Sequence, residues 1–204
     1  MFKEKSLAEF AQVLASSSPT PGGGGASALA AALGASLGAM IGNITKGKKT
    51  YARFAEDNSR LAAEMEDISQ KLIAAVDRDA EAFEPLSRVY SMPKDDPNRP
   101  EMMEWALIKA AAVPFEILQL CCRAIDIHAQ LAVTGSRLAL PDVATGVVLC
   151  RGAMYGAAVN VRANTHLMAD KSYAGELNDK VDELMEKYWK TADKVFEDIY
   201  GGLK

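Results

Sequence analysis

The chain has 204 residues, enough for one ordinary domain to bury a core without disulfide or metal staples. Hydrophobic residues make up 49% and charged residues 25%, a globular composition, and a net charge of -4 gives no general attraction for nucleic acid. Three cysteines, Cys121 and Cys122 adjacent and Cys150 apart, exclude a disulfide framework or a CxxC metal site and fit a reducing cytoplasm.

Met1 to Lys5 is charged but is followed by no apolar signal core, so a cytoplasmic protein is expected. Ser6-Leu7-Ala8-Glu9 is a capping box that starts a helix to about Ser16, with Phe10, Val13 and Leu14 inward. The breaker run Ser18 to Gly25 ends it. A second helix, about Ala26 to Lys46, carries Gly34, Gly38 and Gly42 at every fourth residue, which leaves one face open to another backbone and makes the helix central. Ala26 to Thr45 holds no charge over about the length of a membrane span. Its Ala, Gly and Ser content predicts a buried helix instead, with no membrane partner.

A third helix is predicted from about Tyr51 to Tyr90. Its inner stripe is Leu61, Met65, Ile68, Leu72, Val76, Ala80 and Phe83, and Pro85 should kink or end it. After the polar loop Pro93 to Pro100, a fourth helix runs from about Glu101 to Val133, kinked at Pro114. Leu140-Pro141-Asp142 opens a fifth, Ala- and Gly-rich helix to about Met168, and an amphipathic sixth spans about Glu176 to Tyr200. No stretch alternates as a strand does. The expected fold is therefore a single all-α domain over residues 1–204, a bundle of about six helices around central Gly/Ala-rich ones.

Several positions carry possible chemistry. The glycine run Gly22-Gly23-Gly24-Gly25 allows φ > 0 and exposes amides at a helix N-terminus, which suits an anion or polar ring; a flexible connector is the plain alternative. No phosphate-binding GK[ST] or GxGxxG pattern accompanies it. Lys46, Lys48 and Lys49 either cap the far end of the helix or hold an anionic substrate tail. Asp79 falls on the apolar stripe, with Asp77 and Glu81 toward its flanks. Burial there raises a carboxyl pKa and makes Asp79 a candidate acid or base, unless it serves a structural bond. Asp142 reads as an N-cap, with a double role as cap and catalyst the alternative, and Asn160 and Asn164 share a face with Gly152 and Gly156. His128 and His166 lack metal-ligand spacing, so no metal and no redox cofactor is expected.

Ser18-Pro19-Thr20-Pro21-Gly22-Gly23-Gly24, Lys48-Lys49-Thr50-Tyr51, Asp77 to Phe83 and Gly156 to Asn164 occur in an order that resembles the formimidoyltetrahydrofolate cyclodeaminase/methenyltetrahydrofolate cyclohydrolase family. The resemblance covers most of the chain. It implies a multihelical homodimer with a folate site between helices and no cofactor besides the folate substrate. Leu140-Pro141-Asp142-Val143-Ala144 departs from the family's usual Ser-Asp, keeping the carboxylate and losing the hydroxyl.

The first expectation is cyclohydrolysis of a methenyl-folate, with cyclodeamination or a non-catalytic folate-binding scaffold as alternatives. Asp79 and Asp142 are the expected catalytic pair, one acting as base toward water and the other stabilising the bridge cation or protonating the leaving nitrogen. Pro21, Gly22, Gly23 and Gly24 are assigned to the pterin edge and Lys48 and Lys49 to the glutamate tail. Tyr51, Asn160 and Asn164 complete the substrate-binding set that the resemblance implies.

Overall fold

The computed structural model describes residues 1–203, which form six α-helices and three short 3-10 segments with no strand among them. The helices are α1 (Leu7–Leu14), α2 (Gly23–Thr45), α3 (Ala55–Tyr90), α4 (Arg99–Thr134), α5 (Leu140–Leu167) and α6 (Lys171–Gly202). Helices α2, α3, α4 and α5 form a four-helix bundle in which each packs on the next and α2 also meets α4; α6 lies across α4 and α5. The capping box is formed in full, with Ser6 accepting from the Glu9 amide and Glu9 accepting from the Ser6 amide. Of the three apolar residues expected inward on α1, only Phe10 is buried, and Leu14 is exposed.

The centre of the bundle is made of backbone as much as of side chains. A Cβ added at Gly34 would lie 2.8 Å from the Gly146 carbonyl oxygen, and one at Gly42 would lie 2.7 Å from both the Asn58 carbonyl oxygen and Ala62 Cβ. Glycine at these turns lets α2 approach α5 on one side and α3 on the other. The small buried residues Ala28, Ala31, Ala32 and Ala35 continue the same close seam. Gly38 and Gly146 leave room for the His128 ring, whose Nε2 donates to the Gly34 carbonyl at 3.0 Å. Burial pushes the His128 pKa down to about 4, so it is a neutral core side chain rather than a ligand.

Around this seam the larger side chains supply the apolar burial. Leu61, Met65 and Leu72 of α3 and Ile117, Leu118, Ile125 and Leu131 of α4 are fully buried, each contributing about 1.5–3 kcal/mol on transfer from water. Two bidentate clamps join α3 to α4. Arg78 donates to Glu116 at 2.6 and 2.9 Å, and Arg123 to Glu64 at 2.5 and 2.8 Å. Both α2 and α4 have the length and mean hydropathy, 1.5 each, of a membrane span, yet here they are interior helices of the bundle.

Several sequence-based boundaries shift for physical reasons. Helix α2 begins at Gly23, three residues before the predicted start, because the glycines take helical rather than left-handed angles; the one positive φ among the described residues is at Gly47, +80°. Pro85 and Pro114 lie inside α3 and α4 and end neither. Asp142 is not the N-cap of α5: Ala139 holds that position, and Asp142 sits in the first turn after Pro141, where the helix dipole favours an acid. Helix α6 starts earlier than predicted, capped by Asp170, which accepts from the Ser172 and Tyr173 amides.

The seam makes opposite predictions for two glycines. Gly42→Ala should lower stability by about 1–3 kcal/mol, because its Cβ meets backbone that cannot swing away. Gly152→Ala, with nothing within 4 Å of its Cβ, should stabilise by about 0.5–1 kcal/mol through helix propensity. Urea midpoints of the two variants decide the matter, and equal shifts would contradict the seam.

Candidate functional site

The first turn of α2 is where the predicted residues converge. Gly22 is the N-cap, with extended angles, and Gly23, Gly24 and Gly25 form the turn that follows. A Cβ at Gly24 would lie 2.2 Å from Asp79 Oδ1, so the carboxylate of α3 rests directly on the helix backbone where any other residue would stand. The Gly25 amide donates to it. On the other side, a Cβ at Gly23 would lie 3.1 Å from Asn160 Nδ2, and one at Gly156 would lie 2.3 Å from Ser27 Oγ. The absence of side chains on α2 and α5 thus brings Asp79 and Asn160 to opposite flanks of one helix end.

The amides are held in place from behind. Asn160 Nδ2 donates to the Gly156 carbonyl at 2.8 Å, while Asn164 Nδ2 donates to the carbonyls of Asn160 and Ala110 at 2.9 and 3.2 Å. Ser27, one turn into α2, donates to the Gly23 carbonyl at 2.8 Å and is buried. It was not singled out in the sequence; its spacing of four from Gly23 was the available signal.

Asp79 is half-buried and has no cationic partner among the described residues. Desolvation raises its pKa above the ordinary carboxylate value, and the Gly25 amide offsets only part of that. Its neighbour Arg78 is engaged by Glu116. Asp77, expected on a flank, is the more buried carboxylate of the two. Its Oδ1 accepts from the Phe2 amide, so the N-terminal 3-10 segment Phe2–Glu4 covers it. That contact spans 75 residues and leaves no trace in the helix period.

The remaining predicted residues lie at the other end of the bundle. Helix α2 spans 23 residues and ends at Thr45, about 33 Å from Gly23, and Lys48 and Lys49 follow that far end. Lys48 Nζ donates to Ser136 Oγ at 3.1 Å, and Tyr51 OH accepts from the Arg137 amide at 2.9 Å. Ser136 N in turn donates to Thr45 Oγ1 at 2.9 Å, so these side chains clasp the α2–α3 connection to the α4–α5 connection. Asp142 is at this end too, about 27 Å along α5 from Asn160. Within one chain, then, Asp79 joins Pro21 to Gly24, Asn160 and Asn164, and is apart from Asp142, Lys48, Lys49 and Tyr51.

The formiminotransferase-cyclodeaminase family model matches residues 6–183. The chain belongs to this family. It is 29% identical over 203 residues to a methenyltetrahydrofolate cyclohydrolase of Methylorubrum extorquens, a match covering 98% of both chains. It is 27% identical over 187 residues to a formimidoyltransferase-cyclodeaminase of Sus scrofa, covering 90% of this chain and 35% of that longer protein. The crystal structure of a formiminotetrahydrofolate cyclodeaminase from Thermotoga maritima has the same fold, with a TM-score of 0.87 at 26% identity over 98% of this chain and 100% of that one.

In this family member the desolvated carboxylate has a consequence for stability. The folded state binds a proton at Asp79 more tightly than the unfolded chain does, so Asp79 gains stability as pH falls toward the ordinary carboxylate value and costs stability at neutral pH. Asp79→Asn, which keeps an oxygen acceptor for the Gly25 amide, should melt at or above the wild-type temperature at pH 7, with the difference shrinking in acid. A clear fall in Tm at pH 7 would mean that Asp79 is held by a stabilising partner.

Proposed function

We propose that this chain is a methenyltetrahydrofolate cyclohydrolase, converting 5,10-methenyltetrahydrofolate and water to 10-formyltetrahydrofolate. The observation that carries this is Asp79: a half-buried carboxylate without a cation among the described residues, laid on the first turn of α2 across from Asn160. The substrate's methenyl bridge is an amidinium-like cation with an electrophilic carbon. It supplies the charge that the carboxylate lacks, and binding lowers the Asp79 pKa toward the ionised form.

The chemistry follows from that pairing. Asp79 accepts one proton from water as the oxygen bonds to the bridge carbon. The resulting carbinol then loses its O–H proton while the carbon–nitrogen bond opens, and the leaving nitrogen takes up a proton, giving the formyl group and releasing one proton overall. Asn160, braced at Nδ2 by the Gly156 carbonyl, keeps Oδ1 for a ring N–H, and the amides of the first turn of α2 face the polar pterin edge. The reaction needs no redox partner. The 29% identity to the Methylorubrum extorquens cyclohydrolase supports hydrolysis as the first reading; the same frame would serve a formimino carbon with ammonia leaving, the activity named for the similarly full-length Thermotoga maritima structure.

Stopped-flow loss of methenyl absorbance is the test, with ammonia release from the formimino substrate measured beside it. Wild-type protein should accelerate methenyl loss and release no ammonia, and Asp79→Asn should reduce turnover about 100-fold or more. The acid limb of kcat/KM should lie above the ordinary carboxylate pKa. Ammonia release in place of hydrolysis would move the assignment to cyclodeaminase, and full activity of Asp79→Asn would remove Asp79 as the base.

The same reading includes a homodimer. Leu33, Met40 and Ile44 of α2 and Val148 of α5 form an exposed apolar row on the two central helices, 48, 37, 43 and 42% exposed in the single chain. Antiparallel pairing of such faces brings the Asp142 end of one subunit to the Asp79 end of the other, the arrangement that lets both carboxylates serve one bridge. Mixing refolded Asp79→Asn and Asp142→Asn subunits should then restore activity to about a quarter of wild type. A dimer in sedimentation with no recovery on mixing would leave Asp79 acting without Asp142.

A further inference from the structure

Lys48 and Lys49 follow the far end of α2, which ends about 33 Å from Gly23, so they reach the Asp79 end only from the partner subunit of the dimer proposed above. A different surface lies next to the reactive end. Asn160 and Asn164 use the face of α5 turned to α2 and α4. Around the same helix, Val159 about 100° and Tyr155 and Arg162 about 140–160° from Asn160, together with His166 and Leu167, wall a groove closed on its far side by Met185 of α6. The groove has a volume of about 800 Å³ and lies within one helix width, about 10 Å, of Asn160.

Its chemistry is specific. Tyr155, Val159 and Leu167 are exposed apolar side chains, 40, 67 and 53% exposed, which the bundle has left uncovered. Arg162 stands among them. Among the described residues its guanidinium pairs with Asp182 of α6, in a pair whose side chains are 47 and 62% exposed, so the ion pair is solvent-screened and the guanidinium retains donors for a second carboxylate. An apolar wall with a planar cation on its edge fits an aromatic ring bearing a carboxylate one short linker away. In a tetrahydrofolate the reacting bridge is bonded to the nitrogen of the aryl ring, so that ring must lie within a few ångströms of the reacting carbon and the first glutamate within about one helix width.

We propose that the groove between α5 and α6 is the subsite for the p-aminobenzoyl-glutamate half of the substrate, with Val159 and Tyr155 against the ring and Arg162 on the glutamate carboxylate. This rests on the folate reading above. It gives the ligand a direction: the bicycle lies over the first turn of α2, between Asp79 and Asn160, and the tail leaves across α5 toward α6, away from α3.

The test separates the subsite from the reaction. Free p-aminobenzoyl-L-glutamate, which has no reacting carbon, is titrated into the full chain carrying labelled methyl groups. The signals of Val159, Leu167 and Met185 should move, and Arg162→Gln should abolish the movement. Shifts that spare these three methyls overturn the subsite whether or not the protein turns over methenyltetrahydrofolate. In turnover, Arg162→Gln and Val159→Glu should raise KM about tenfold with kcat within about twofold, and Arg162→Lys should recover part of the loss. Both substituted positions are solvent-exposed, so folding is expected to survive, and unchanged thermal melting verifies it. A wild-type KM in both variants, or a KM rise confined to a Lys48→Gln/Lys49→Gln variant, would place the tail elsewhere while leaving the Asp79 chemistry standing.

Discussion

Everything in this molecule depends on how closely the backbone of α2 approaches its neighbours. Where most bundles interpose large side chains between helix axes, this one sets glycine and alanine against α5 and α3, with Gly34 at the Gly146 carbonyl and Gly42 at the Asn58 carbonyl. Close packing of this kind gains dispersion contacts and loses tolerance, because backbone atoms cannot rotate out of the way as side-chain ends can. The same geometry extends to the first turn of α2. There the missing Cβ of Gly24 makes room for a carboxylate, and that of Gly23 for an amide. The structural seam and the candidate site are one feature of one helix.

Electrostatics complete what packing begins. A half-buried acid is commonly matched by a base, and the nearest arginine in sequence to Asp79 is Arg78, yet Glu116 takes both of its terminal nitrogens. Asp79 is left with the Gly25 amide and partial exclusion from water. The clamp thus fastens α3 to α4 and also keeps a positive charge away from the adjacent carboxylate.

Much of this was legible in the sequence, and the parts that were not have identifiable causes. Six helices followed from apolar periodicity and from Ser6/Glu9, and the fourfold recurrence of Gly34, Gly38 and Gly42 announced the seam. The inward placement of Asp79 was visible in its spacing from Val76 and Phe83. Two misreadings share one origin, a local rule overruled by a distant contact. Glycine preference suggested a loop at Gly23 to Gly25, but Asp79 and Asn160 line a helical turn there. The flank position of Asp77 was covered by Phe2. Lys48 and Tyr51, expected to bind substrate, also hold the α4–α5 connection in this chain through Ser136 and Arg137, contacts that no local pattern announces.

The unpaired state of Asp79 also bears on how a catalytic cycle would end. A carboxylate whose only countercharge arrives with the substrate grips a cationic bridge and has far less hold on a neutral formyl group. Hydrolysis would erase the charge that recruited the ligand, so the attraction is spent in the act of reaction. A resident arginine at that position would have weakened the discrimination between the two ends of the reaction. By sequestering Arg78, Glu116 would, on the proposed chemistry, make product departure a property of the charge balance.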